Sequence, residues 1–189
     1  MIKEIERKIL NNISLTETEV IEFLTYVCEL IRNDCGIIDP MDTACKFCCE
    51  TTKKFGRLML MRFGCDVDIL DIKKLLQIPL THYANIISFN IDGNIKTYLV
   101  DMTYSQFFGD TITLDNNKII FIKEIFGECE EQFLELRKNG FIELDKSILK
   151  KYIDNFLNIC NIKDKKSTYI NIQKLLFDNN TTLKNIKLS

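Results

Sequence analysis

His82-Tyr83-Ala84-Asn85-Ile86-Ile87-Ser88-Phe89-Asn90-Ile91-Asp92-Gly93-Asn94-Ile95-Lys96-Thr97-Tyr98-Leu99-Val100-Asp101 is the stretch on which the fold turns. Its two halves are rich in Ile, Val, Tyr and Phe and read as strands over Tyr83 to Ile91 and Ile95 to Met102. Between them stands Asp92-Gly93, a pair suited to a two-residue hairpin turn because both central positions of that turn need positive φ. With that turn, Ile91 faces Asn94 and, counting back along the ladder, Ala84 faces Asp101. Side chains alternate between faces, so His82 projects to the side of Ala84 and becomes the diagonal neighbour of Asp101. Diagonal pairs lie roughly 7 to 8 Å apart between Cα atoms, within reach of a His-to-Asp hydrogen bond. A slip of one residue would put the two on opposite faces.

Outward from the hairpin the period changes. The N-terminal third, about 1–64, reads helical: Ile2 to Leu10, then Thr16 to Ile31 with Val20, Phe23, Leu24, Val27 and Leu30 at helical spacing, stopped by Asn33-Asp34-Cys35-Gly36. Asp42 or Thr43 can cap a third helix running to Phe63, with Gly64 as its stop signal. A sheet region spans about 80–122, with a third strand at Lys118 to Ile122. The remainder, about 123–189, returns to helix: Ile125 to Lys138 ending at Gly140, then Lys146 to Ile159 capped by Asp145. Tyr169 to Phe177 fits strand and helix equally. No repeat or Pro/Gly/Ser linker divides the chain, so 1–189 reads as one α+β domain, helices packed on a small antiparallel sheet and closing it from both sides.

Composition narrows the function classes. In 189 residues, 25 Lys and Arg stand against 27 Asp and Glu, so no basic surplus exists to hold a phosphate backbone and nucleic acid is not an expected partner. No run of about 18 apolar residues predicts a membrane span, and the charged start, Met1-Ile2-Lys3-Glu4-Ile5-Glu6-Arg7-Lys8, does not read as a secretory signal. A cytoplasmic protein is expected, although signal-less export leaves no such mark. Its eight cysteines are then expected as thiols, not as a disulfide framework.

A cysteine nucleophile must be a thiolate, and the positive end of a helix and a neighbouring imidazole both favour one. Cys45 falls in the first turn of the expected third helix, and His82 is the chain's one histidine. Asp101 would hold the ring in its working tautomer. Cys28, Cys65, Cys129 and Cys160 read as small core residues. Cys45-x-x-Cys48 with Cys49, Cys35 and His82 lacks the second ligand pair of a zinc site, so neither metal nor cofactor is expected. Tyr104, Phe107 and Phe108 suit a substrate groove and a core equally, and Gln106 fits a donor near an oxyanion and a core or turn residue equally, so the sequence assigns it no catalytic role.

A cysteine opening a helix, a histidine starting a strand, a hairpin, then an aspartate ending the next strand resembles the chain order of papain-like and transglutaminase-like cysteine enzymes. His82 to Ile87 followed by Tyr98-Leu99-Val100-Asp101-Met102-Thr103-Tyr104-Ser105-Gln106-Phe107 looks like the "Asp-x-Thr-Tyr-x-Gln-Phe" region of compact bacterial members. The likeness covers Thr43 to Phe108. It implies a papain-like or transglutaminase-like fold and a Cys-His-Asp triad that passes an acyl group through a thioester to an amine or to water. Expected substrates are proteins, peptides or acyl groups on a carrier protein. The chain departs from the family at Thr43, where a glycine is usual, and in its crowd of cysteines. Cys49, whose distance to Gly64 suits the transglutaminase-like helix, and Cys48 therefore stand beside Cys45 as nucleophiles. The alternatives are a papain-like protease and a non-enzymatic Cys-rich binding module.

Overall fold

Local signals set most of the helices. The computed structural model describes residues 1–38, 47–78, 80–108, 111–115, 118–122 and 129–160. Helix α1 spans Ile2–Leu10 and α2 spans Glu17–Asp34. The latter opens on a capping box, in which the Thr16 hydroxyl accepts from the Glu19 N–H and the Glu19 carboxylate accepts from the Thr16 N–H. Helix α3, Cys48–Phe63, turns Thr52, Phe55, Met59 and Phe63 inward and ends at Gly64 in the left-handed region, φ 64°. It begins later than Asp42 or Thr43 would have it: Phe47 is the residue before its first turn, so Cys48 opens it. The expected caps, and Cys45, lie outside the described residues.

The hairpin has the expected register. Strand β2, Tyr83–Ile91, pairs with β3, Asn94–Val100, with Ile91 opposite Asn94 and Asn85 opposite Val100. Two short strands extend it into a four-stranded antiparallel sheet: β1, Asp68–Asp71, on β2, and a C-terminal strand, Phe141–Glu143, on β3. Helix α4, Ile72–Leu76, starts on the Asp71 side chain, which accepts from the Lys74 N–H. The expected strand Lys118–Ile122 forms as β5, but it pairs with β4, Thr111–Asp115, in a separate two-stranded ladder and does not join the main sheet. The C-terminal strand is therefore β6.

The expected helix from Ile125 is also shorter. Among the described residues, a 3₁₀ turn over Glu131–Phe133 leads into α5, Leu134–Asn139, which ends at Gly140 with φ 85°. Helix α6, Lys146–Ile159, is capped by Asp145 as expected, its carboxylate accepting from the Ile148 N–H. The segment Tyr169 to Phe177 lies outside the described residues.

Both faces of the sheet are covered. Ile87, Phe89, Ile91, Tyr98 and Val100 pack against Phe23, Phe55, Met59 and their neighbours on α1, α2 and α3. Ala84, Ile86 and Leu99 project the other way, into a second core with Tyr104, Phe107, Leu149, Tyr152 and Phe156. The alternation that fixes the register thus assigns His82 and Asp101 to the side of α6. Among the described residues, no helix is long and apolar enough to cross a membrane.

Candidate active site

Two helices pin the backbone at the start of β2. The His82 carbonyl accepts from the Ile72 N–H at 3.0 Å, and the Tyr83 carbonyl accepts from the Thr52 hydroxyl at 3.2 Å, tying β2 to both α4 and α3. One residue beyond β3, the Asp101 N–H donates to the Gly140 carbonyl at 2.8 Å. Arg32, buried on α2, donates to the carbonyls of Met102, Arg137 and Lys138, and so binds the turn after Asp101 to the end of α5.

On this frame the side chains of His82 and Asp101 meet, both without solvent exposure. His82 Nε2 lies 2.6 Å from Asp101 Oδ2. The same Oδ2 accepts from the Tyr152 hydroxyl at 2.8 Å, while Oδ1 accepts from the Thr103 N–H and hydroxyl, each at 3.2 Å. A buried carboxylate is tolerated only when its oxygens are supplied with donors and a countercharge, and here both are present. In its neutral form, with Nε2–H given to Asp101, the ring turns the Nδ1 lone pair outward, and the Gln106 amide nitrogen lies 3.1 Å from Nδ1. Phe156 stacks on the ring at 5.4 Å and Phe107 meets it edge-on at 4.8 Å.

Among the described residues, the thiol beside this ring is Cys48. Burial alone would push His82 toward the neutral form, but the charge and hydrogen bond of Asp101, then those of Cys48, overcome it and raise the pKa to about 9. Cys48 is 7% exposed. Cys49, next on the helix, is half-buried. The structure thus brings together Cys48, His82 and Asp101 of the expected residues.

The other thiols have different surroundings. Cys28 is fully buried and its pKa is pushed up to about 12, chiefly by that burial. Cys65, Cys129 and Cys160 are half-buried and pack against the margins of the two cores, and burial raises each of them. Among the described residues, no three His, Cys, Asp or Glu side chains are grouped to hold a metal ion.

Of the two readings open for Tyr104 and Phe107, the structure shows the core one, and the Gln106 amide meets the imidazole. A cavity of about 650 Å³ between α2 and α3 is lined by Leu30, Ile31, Leu58 and Met61 among others and touches none of the three site residues. Sequence reasoning missed Thr103, Tyr152, Phe156 and Arg32. Thr103, two residues after an aspartate, carries a recognisable local signal, since such side chains bond nearby backbone N–H groups. The other three reach the site from elements remote in sequence, and their local pattern says only "helix". No protein-family model, curated protein or solved structure matches the chain.

Proposed function

We propose that this chain is a thiol acyltransferase or hydrolase of papain-like or transglutaminase-like architecture, with Cys48 as nucleophile, His82 as base and then acid, and Asp101 as the group that orients the ring. The observation that carries the proposal is the single histidine, bonded through Nε2 to a fully buried aspartate, with the Cys48 thiol near enough to help raise its pKa. A purely structural histidine needs hydrogen-bond partners, but not a carboxylate on one side and a helix-opening thiol beside it.

In the proposed cycle the Cys48 proton passes to His82, and the sulfur attacks a carbonyl carbon. The C–S bond forms, the bond to the leaving amine or thiol breaks, and His82 returns the proton to that leaving group. An amine or water then attacks the thioester, gives its proton to His82, and expels Cys48 as the thiol. Cys48 lies in the first turn of α3, where backbone N–H groups lack intrahelical acceptors, so its own N–H is the first candidate to hold the oxyanion. Once the ring is doubly protonated, Nδ1–H needs an acceptor, which the thiolate supplies, as would the Gln106 carbonyl oxygen after an amide turn. The substrates proposed are proteins, peptides or carrier-bound acyl groups. A reducing compartment, the cytoplasm, suits a chain whose described cysteines are all free.

Labelling with limiting iodoacetamide from pH 5 to 8, with mass spectrometry to locate the adduct, tests this reading. Cys48 is expected to react first, to remain reactive at pH 5, and to slow by about 100-fold in His82→Gln and Asp101→Asn. Fast, His82-dependent labelling at Cys45 would keep the chemistry and move the nucleophile by three residues. Slow labelling indifferent to His82 would overturn the enzyme reading.

A further inference from the structure

Resting on that reading, we infer that Tyr152, on α6, is a positioning residue of the site: it acts on His82 through Asp101, by taking a share of the carboxylate oxygen that the imidazole uses. Tyr152 OH and His82 Nε2 converge on one atom, Asp101 Oδ2, at 2.8 and 2.6 Å. All three side chains are sealed from solvent. A charge-assisted hydrogen bond into such a site draws electron density from the oxygen that receives it. The phenol therefore limits how much charge Asp101 offers to the imidazolium, and it fixes the direction from which that charge acts.

The donor does not switch off. Burial first, and then the charge of Asp101, hold the Tyr152 hydroxyl well above its ordinary pKa, so it donates across the range in which a thiol enzyme works. Its ring is fixed as well, edge-on to Phe156 at 5.1 Å, and Phe156 is the ring stacked on His82. One helix thus holds both the flat face of the imidazole and the carboxylate that orients it. The other titratable or charged groups felt at this cluster are Cys48 from α3, Arg32 from α2 and Tyr104 from the 3₁₀ turn over Tyr104–Phe107. Tyr104 is raised chiefly by burial, and its hydroxyl accepts from Asn155. The guanidinium of Arg32 is committed to three backbone carbonyls.

The chain has one histidine, so a proton NMR titration reads the His82 ring without ambiguity and without a substrate. Tyr152→Phe keeps the ring and removes the donor. It is expected to leave more charge on Oδ2 and to move the His82 midpoint upward by half a pH unit or more, about threefold in proton affinity. The pH profile of Cys48 alkylation should move with it. Site-specific 3-fluorotyrosine at position 152, nearly the same size and a stronger donor, is expected to shift the midpoint the other way, and it serves if the phenylalanine variant does not fold. A midpoint unchanged in both variants, or moved in one direction by both, would overturn the inference. If the midpoint moves as expected while Cys48 labelling ignores His82, the linkage through Asp101 stands and the thiol reading has failed.

Discussion

His82 is a charged group in a site sealed from solvent, and its proton links the site to the stability of the fold. In the folded chain the imidazole keeps its proton up to about pH 9, against an ordinary value near 6.5. The stabilisation tied to that proton is complete below the unfolded value and is lost as pH rises through the folded one. Urea unfolding at pH 6 and pH 8 should therefore show the wild type less stable at the higher pH by about 2 kcal/mol. His82→Gln, which has no titrating ring, should show little of that slope. An equal slope in the variant would mean that other groups carry it. The residue-scale pairing of His82 with Asp101 was legible in the sequence because hairpin register is arithmetic once the turn is known. The placement of Cys48 beside the ring was not, because it depends on where α3 begins, and Asp42 and Thr43 offered a more conventional cap than Phe47 does.

Among the elements, the turn between α5 and β6 carries more of the site than its length suggests. Gly140 has φ 85°, and a Cβ placed there would lie 3.0 Å from Met102 Cγ and 3.1 Å from Arg32 Nη2. Arg32 cannot swing away without giving up its three carbonyl partners, so the crowding falls on a buried, hydrogen-bonded group. Gly140→Ala is expected to cost about 2 to 3 kcal/mol in urea unfolding, combining positive-φ strain with that clash. Because the Gly140 carbonyl also receives the Asp101 N–H, the same variant should displace the His82 ring resonance. A cost below about 0.5 kcal/mol with an unmoved resonance would show that the turn relaxes freely. Elements of this kind are hard to read from sequence. Strands of four and three residues, such as β1 and β6, are too short to show alternation, and the hairpin β3 gains its C-terminal partner only through the fold. The long helices and the Asp92-Gly93 hairpin were legible because caps and turn residues state them locally.

At the scale of the whole molecule, the proposed site joins two cores across one sheet. Cys48 arrives on α3, whose buried face packs with the N-terminal helices, whereas His82 and Asp101 look toward α6. The N-terminal helical third supplies the thiol and the C-terminal helix supplies Tyr152 and Phe156, so the site is complete only when both halves have closed on β2 and β3. Since both faces of those strands are buried, neither core can open without exposing the sheet that supports the other, and one cooperative transition follows. Phe55 and Phe156 are fully buried, one on each side. Truncating either to alanine should lower global stability by about 3 to 5 kcal/mol through the same kind of cavity. Their effects on the site should differ. Phe55 lies seven residues into α3, about 10 Å along the helix from Cys48 and on the far side of the sheet from His82, whereas Phe156 forms the stack on the imidazole. The His82 ring resonance is therefore expected to move in Phe156→Ala and to stay in place in Phe55→Ala, measured where both variants remain folded. If both substitutions moved it equally, the two cores would not be separate bodies meeting at the site, and the division of labour between α3 and α6 would have to be abandoned.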